Sequence, residues 1–477
     1  LLNFTVALAP IVLVIALLVL RVSPTRAALA ALATAVIGTW LAFPLSSPAA
    51  AEVGTAMGPT TLTVIFILLG GVGLTEVSAR SGGQAVISRW LRATETSGDR
   101  LTTLLLIALG VTPFMESVTG FGLGVVITAP LLVGFGLSPA RAVVTGMLGL
   151  VLVPWGSLGP GTLVAAELGQ VDFTGLGVWS AVLSLPVLVI NAALIIGLNQ
   201  RRIGWGQAGF VVLLLLGEWL VLIAANYFFG PPLAGVLASG WVIAVTLWRL
   251  RRGGPLPSIW RLGRALLPYA ILVGGLVFSN LAVALAGGSG KIATNPALWL
   301  NLTVLITVLL LRWPRRMLHE VWPVVWGRWQ SVALVTLLYM LLGSLMSANG
   351  MAEQLASTAA SLGGGFTLLV PLIGALGGYL TGSNTGAAAM FSTATVTAAN
   401  QLSSSPLILL AGQNVAGSVA IIASPPRVAF AVSVTYPPGQ TLPASGQRQL
   451  LGAVGLLVVV LAALLPWVAA LAPGFGG

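Results

Sequence analysis

The chain has 477 residues, of which 57% are hydrophobic and 6% charged, with a mean hydropathy of +1.03. Soluble domains carry about 25% charged residues, so this composition excludes a set of soluble domains and points to an all-α polytopic membrane protein. Cysteine is absent and histidine occurs once; this excludes disulfides, thiolate metal sites and thiol nucleophiles, leaves little for a metal cage or hydrolytic triad, and sets the expectation of no cofactor.

At about 20 residues per spanning helix plus short loops, there is room for roughly 12–14 membrane segments. The 21 basic residues outnumber the ten acidic ones, for a net charge of +11. They lie between apolar runs, where the positive-inside rule places them, so nucleic acid is not an expected partner and the lipid bilayer is. Segment 1–20 is long enough to span and begins without a basic stretch, so no removable signal peptide is expected.

In chain order, 1–20 and 27–43 flank Arg21 and Arg26, which puts that loop in the cytoplasm and the N-terminus outside. Segment 58–77 returns inside, where Arg80, Arg89, Arg92 and Arg100 mark a cytoplasmic linker with a short interfacial helix over 84–91. Segment 101–137 is apolar but broken at Thr112-Pro113-Phe114-Met115-Glu116-Ser117-Val118-Thr119-Gly120-Phe121-Gly122, and Arg141 follows. With Arg100 and Arg141 both cytoplasmic, this stretch enters and leaves on one side. It reads as two spans or as a re-entrant hairpin; the polar, glycine-rich break favours a hairpin with that break at its tip.

Segment 142–168 is interrupted at Pro154-Trp155-Gly156-Ser157-Leu158-Gly159-Pro160-Gly161, and 177–198 ends at Arg201 and Arg202. Spans follow over 208–225, 233–250, 265–286 (leading out to Lys291), 296–311 and 332–346, with the basic residues Arg249–Arg264 and Arg312–Arg328 inside. His319 lies there among Trp313, Trp322, Trp326 and Trp329, a membrane-interface belt. Segment 366–402 is a second broken apolar stretch, 406–434 a second interrupted span, and 450–471 closes the chain with the C-terminus outside. The count is about 12 full spans plus two hairpins.

An internal repeat organises the breaks. Ser117-Val118-Thr119-Gly120 reappears as Ser383-Asn384-Thr385-Gly386, Ser138-Pro139 as Ser405-Pro406, and Ser157-Leu158-Gly159-Pro160 as Ser424-Pro425-Pro426. The order is kept at a near-constant offset. By the charge-derived topology the first hairpin opens from the cytoplasm and the second from outside, so the copies are inverted. Paired broken segments in inverted repeats point to a secondary transporter with substrate near the midplane. Irregular backbone in hydrocarbon leaves N–H and C=O groups unpaired, at several kcal/mol each, and survives where it lines a polar cavity. Freed N–H groups and helix N-termini favour an anion there.

Phe114-Met115-Glu116-Ser117-Val118-Thr119-Gly120-Phe121-Gly122, followed by Leu131-Leu132-Val133-Gly134-Phe135-Gly136-Leu137, resembles the first signature of the lactate permease family. Leu380-Thr381-Gly382-Ser383-Asn384-Thr385, with Asn414 and Ser424-Pro425, resembles its second. The resemblance implies a cytoplasmic-membrane symporter of lactate and glycolate driven by protons. It departs at Asn384, where family members carry Asp, and at 418–423, which lacks the family's Lys; Arg427 lies just beyond. The Ser-Asn-Thr tripeptide also resembles that of sodium-coupled dicarboxylate transporters, whose broken-hairpin elevator architecture the chain would share.

Three charges are not explained by the positive-inside rule. Glu116 sits at the expected hairpin tip, where an intramembrane carboxyl suits a proton carrier. Arg427 follows the second later break and suits bidentate carboxylate recognition, or a buried acid such as Glu116 as partner. Glu218 is a second intramembrane acid, read as structural or inter-domain.

The expected organisation is scaffold helices and linker over 1–100, a first transport repeat over 101–206, scaffold helices over 207–364 and a second transport repeat over 365–477. The substrate is a small 2-hydroxy monocarboxylate (L-lactate, D-lactate or glycolate). Its carboxylate would meet Ser383, Asn384, Thr385, the Gly386 and Gly120 backbone, Asn414 and Arg427; its hydroxyl would meet Ser117 or Thr119. The coupling proton would reside on Glu116, with sodium as the alternative coupling ion for a carboxylate or dicarboxylate. An intramembrane enzyme would need an acid–base pair or metal constellation that the sequence does not offer, and an anion channel is separated by saturable, gradient-responsive flux. The oligomeric state is left open.

Overall fold

The computed structural model describes residues 2–94, 99–120, 122–200, 202–287, 290 and 292–471. Leu1, Phe121, Arg201 and Lys291, on which parts of the sequence reading fall, lie outside the described residues. Every regular element among the described residues is helical. Nine of these helices are long and apolar enough to cross a membrane, or ten if Phe173–Leu183 and Leu185–Asn199, bent by 42°, form one span. The chain is a multi-pass membrane protein.

Fewer full-length helices appear than the expected dozen spans because the interrupted stretches divide into short pieces. Leu123–Gly134, Pro139–Leu148, Pro160–Gly169 and Pro425–Thr435 are 10 to 12 residues long. At 1.5 Å per residue such a helix reaches about half of a ~30 Å hydrocarbon layer. Leu123–Gly134, Pro139–Leu148 and Pro160–Gly169 are largely buried, whereas Pro425–Thr435 buries only Ala431 and Val432. The window over Arg100–Thr119 is 94% buried and that over Pro406–Ala423 is 89% buried, against 22% for Leu2–Val19 and for Gly263–Ala286. Among the described spans, the two most buried windows thus belong to the interrupted stretches, and Leu2–Val19 and Gly263–Ala286 are the least buried.

The element order of the two broken regions is the same. Arg100–Thr119, a turn, Leu123–Gly134, Pro139–Leu148, a 3₁₀ turn over Val153–Leu158 and Pro160–Gly169 make up the first. Gly365–Thr381, a turn, Asn384–Gln401, Pro406–Ala420, a 3₁₀ turn over Ile421–Ala423 and Pro425–Thr435 make up the second. The regions are interleaved: Asn384–Gln401 packs on Pro160–Gly169, and Pro425–Thr435 packs on Leu123–Gly134. Ser138 and Ser405 precede corresponding helices, each with Pro at the first turn, where its missing N–H costs nothing.

Glycine permits very close backbone approach inside this core. A Cβ at Gly374 or Gly378 would run into the backbone carbonyls of Gln413 and Gly417 on Pro406–Ala420. The first region does the same with Gly124 and Gly149 against the Thr112 and Ala108 carbonyls. Small residues at contacts are how membrane helices gain packing energy when burial from water is not available.

One local departure follows from proline. Residues Leu106–Val111 form a π-helical turn directly before Pro113, which has no N–H to continue the α-helical ladder. Thr112 Oγ1 fills part of the widened turn, donating to the Ile107 carbonyl at 2.9 Å and lying 2.8 Å from Thr128 Oγ1. The expected interfacial helix is Gly83–Ala93; it buries Ile87, Trp90 and Leu91, and the Trp90 indole N–H donates to the Pro257 carbonyl at 3.1 Å.

Asp99 fixes the start of Arg100–Thr119 to the neighbouring Pro231–Gly253 helix. Its Oδ1 accepts from the Thr102 N–H at 3.1 Å, and its Oδ2 accepts from Thr102 Oγ1 at 2.7 Å and from Arg249 Nε at 3.0 Å. Partial burial pushes this carboxyl up, but the Thr102 bonds and the Arg249 charge outweigh it and hold the group below its ordinary value.

Candidate functional site

Four chain breaks surround one cavity. At the first, Gly120 (φ 70°) and Gly122 (φ 82°) take the left-handed backbone that only glycine adopts freely. The second runs through Ser157 (φ 44°), Leu158 (φ 64°) and Gly159 (φ 80°). The third turns at Gly382 (φ 64°), and the fourth is the 3₁₀ turn ending at Ser424. Glu116, Ser157, Gly161, Asn384, Thr385 and Arg427 line the cavity, with Leu68, Val332 and Thr336 closing it from Ser47–Arg80 and Arg315–Ala348. Its volume is about 50 Å³, room for one or two waters at ~30 Å³ each. A small carboxylate enters only if the breaks part from those flanking helices.

Helix starts and charged side chains gather at the cavity. Leu123–Gly134, Pro160–Gly169, Asn384–Gln401 and Pro425–Thr435 all begin at the cavity or at a break beside it, and helix starts carry unpaired N–H groups and partial positive charge. One such charge is already used: the Gly122 N–H donates to Glu116 Oε2 at 2.9 Å and Oε1 at 3.1 Å. Glu116 Oε1 lies 3.6 Å from Arg427 Nη1, an ion pair too long to be a hydrogen bond. Arg427 Nε donates to the Gly382 carbonyl at 2.8 Å, which ties the fourth break to the third. Arg427 Nη1 is buried and has no hydrogen-bond partner, so the cavity contains a charged donor that lacks an acceptor.

Behind the cavity the asparagines form a neutral lattice. Asn384 Nδ2 donates to Asn414 Oδ1 at 2.7 Å, and Asn414 Nδ2 donates to Thr162 Oγ1 at 3.1 Å and Ser180 Oγ at 3.0 Å. Thr162 Oγ1 donates in turn to the Pro154 carbonyl at 2.6 Å. The Asn at position 384 therefore has a physical reason: an ionised Asp could not donate to Asn414. Ser383 caps Asn384–Gln401, its Oγ accepting from the Gly386 N–H at 3.3 Å.

The structure brings Glu116, Gly120, Ser383, Asn384, Thr385 and Arg427 to the cavity wall, and places Asn414 one layer behind. Ser117 and Thr119 do not reach it. Helix Arg100–Thr119 continues through both residues before it breaks; Thr119 Oγ1 bonds back to the Met115 carbonyl at 2.5 Å, and Ser117 faces Gly235 of Pro231–Gly253. The repeated four-residue motif thus ends a helix in the first region and begins one in the second. Sequence reasoning placed Ser157 in a break without giving it a role, and missed Thr162 and Ser180; a lone Thr or Ser in an apolar run leaves no signal.

A cavity walled by four buried helix breaks, inside an all-helical membrane fold, is the architecture of a multi-pass transport protein. The L-lactate permease family is matched over residues 3–259 and 272–441, and the chain belongs to that family. An L-lactate permease of Streptococcus iniae is 26% identical over 382 residues, covering 72% of this chain and 79% of its own length. The glycolate permease GlcA of Escherichia coli (strain K12) is 24% identical over 522 residues, covering 91% and 90%. A solved structure of Neisseria gonorrhoeae MtrF, described as one of a class of antimetabolite efflux pumps, aligns over 86% of this chain and 81% of its own at 14% identity and a TM-score of 0.47. The relatives are permeases, and this chain is a transporter and not an enzyme.

Proposed function

We propose that the protein is a proton-coupled symporter of L-lactate and related small 2-hydroxy monocarboxylates, including D-lactate and glycolate, in the cytoplasmic membrane, with both termini outside. The observation that carries this reading is the buried Glu116–Arg427 pair, with Arg427 Nη1 unpartnered at the cavity. The names of the L-lactate and glycolate permeases among the relatives support the substrate class.

The pair supplies a coupling rule. With Glu116 ionised, its charge cancels that of Arg427 and the empty site is neutral. A carboxylate entering then would leave a net negative site, and an uncompensated charge in the bilayer is costly. Protonation of Glu116 withdraws its charge from Arg427 and leaves the guanidinium to the substrate carboxylate. Arg427, the substrate and a neutral Glu116 again sum to zero. Both the empty carrier and the carrier loaded with one proton and one anion cross cheaply, and the carrier holding anion without proton does not.

Ser383, Asn384 and Thr385, with the backbone N–H groups of the breaks including Gly120 and Gly386, would complete the carboxylate site. The broken regions, 101–206 and 365–477, would act as the moving unit in inverted orientation. Residues 1–100 and 207–364 would form the scaffold. The cavity lies between the breaks and two scaffold helices, where relative sliding would open it to one side or the other; the elevator form of that motion rests on architectural analogy.

Purified protein in liposomes tests the reading. Labelled L-lactate should accumulate under an inward proton gradient, and Glu116→Gln should abolish accumulation while sparing lactate counterflow. Undiminished uphill uptake by that variant removes Glu116 from the coupling step. Accumulation driven by sodium instead overturns proton coupling, and the lack of any lactate flux overturns the substrate.

A further inference from the structure

We infer that Ser157 is the residue that reads the substrate's 2-hydroxyl group, and so sets the preference for hydroxy acids over plain monocarboxylates. The inference rests on the carboxylate-transport reading above and adds a specificity group to the same site.

Ser157 lines the cavity together with Arg427 and Glu116. Its side chain is buried, at 4% exposure, and its Oγ has no hydrogen-bond partner. A buried hydroxyl without a partner is uncommon and calls for an explanation. The local structure goes to some length to put it there. Ser157 takes a left-handed backbone, φ 44° and ψ 46°, which side-chain-bearing residues adopt rarely. Gly120 on the first break is what admits it: a Cβ at Gly120 would sit 2.5 Å from Ser157 Cβ.

The hydroxyls that the sequence offered for this role are occupied or turned away. Thr119 Oγ1 is bonded to the Met115 carbonyl, and Ser117 packs against Gly235 outside the cavity. Asn414 is engaged with Thr162 and Ser180. Ser157 Oγ and Arg427 Nη1 are the unpartnered buried side-chain atoms on the cavity wall among the described residues. A 2-hydroxy acid presents a carboxylate and a hydroxyl on adjacent carbons, which matches one charged donor and one group that both donates and accepts. Acetate and propionate would satisfy Arg427 and leave Ser157 Oγ unpaired.

The test measures counterflow of labelled L-lactate in proteoliposomes against unlabelled L-lactate, glycolate, propionate and acetate, for the wild type and Ser157→Gly. Glycine takes φ 44° without strain, so the variant should fold. The wild type should favour lactate and glycolate over propionate and acetate. In the variant the apparent affinity for the hydroxy acids should fall about tenfold, the scale of one lost hydrogen bond, with propionate and acetate unchanged. An equal loss for all four acids, or an unchanged preference, overturns the assignment of the hydroxyl to Ser157 alone. A wild type that exchanges none of them overturns the transport reading and this inference with it.

A second variant keeps the question open to refutation should glycine prove disruptive. The chain has no cysteine, so Ser157→Cys carries a single thiol. Saturating L-lactate should slow its reaction with a small methanethiosulfonate reagent, and labelling indifferent to lactate overturns the placement of substrate against residue 157.

Discussion

The two turns that close the paired breaks differ in chemistry. The second is saturated: Ser383 caps its helix, Thr381 Oγ1 bonds the Ser383 carbonyl at 2.9 Å, and Asn384 is held by Asn414. These bonds are between neutral groups, and the Gly382 carbonyl of the same turn accepts from the charged Arg427 Nε. The first holds Glu116, ion-paired with Arg427 Nη1, and faces Ser157 Oγ; neither Nη1 nor Oγ has a hydrogen-bond partner. A satisfied buried network rigidifies, whereas an unsatisfied one is tolerated where a ligand completes it. Under the proposed mechanism the second turn would supply a fixed part of the carboxylate site, and the change in charge would fall on the first.

The largest effects should come from the ion pair. Arg427→Ala leaves Glu116 buried without its counter-charge and should cost about 3–5 kcal/mol of stability, read as a large drop in thermal unfolding temperature together with loss of lactate counterflow. Combining it with Glu116→Gln should recover most of the stability and none of the transport. If the double variant is no more stable than Arg427→Ala alone, the pair is not the source of the loss, and the contrast between the turns weakens.

A smaller effect is expected from the neutral lattice. Asn414→Leu strands Asn384, Thr162 and Ser180 together, at about 1–3 kcal/mol for the unsatisfied groups. If this neutral lattice only positions, the variant should lower the melting temperature and the maximal rate and keep the proton dependence. A changed proton dependence would erase the distinction between the turns.

The smallest concerns Asp99, outside the cavity. Its folded-state pKa is depressed, so its contribution is present above the unfolded value of about 3.9 and is lost as pH falls through the folded one. For a partly exposed pair with Arg249 the effect is below about 1 kcal/mol. Asp99→Asn should remove that share of the acid-side loss below about pH 4 and leave the melting temperature at neutral pH lower by a few degrees at most; an identical acid limb in the two proteins shows the cap to be inert.

Glu116 and Arg427 were legible in the sequence because each is a charge in an apolar run that the positive-inside rule leaves unexplained. Their pairing was one of two readings left open for Arg427, and they meet because Leu123–Gly134 packs on Pro425–Thr435 from the other half of the chain. The four-residue repeat misled at one point. Ser117 and Thr119 share residue types with Ser383 and Thr385, but a string of letters does not say on which side of the turn the helix stops, and at 100° per residue that decides which way a side chain faces. The Ser-Pro pairs did correspond, because proline enforces the same helix start wherever it occurs.

Membrane residence, all-helical structure and the location of the breaks were determined by the sequence alone, through hydropathy, charge placement and glycine–proline spacing. These are local properties: each depends on the bilayer and on a few neighbouring residues. The choice of Glu116 as the ion-pair partner of Arg427 among the readings left open, the lattice of Asn414 with Thr162 and Ser180, and the selection of Ser157 over Ser117 were decided by tertiary structure. Those depend on how close two backbones can approach, which is set jointly by glycines and carbonyls far apart in the chain.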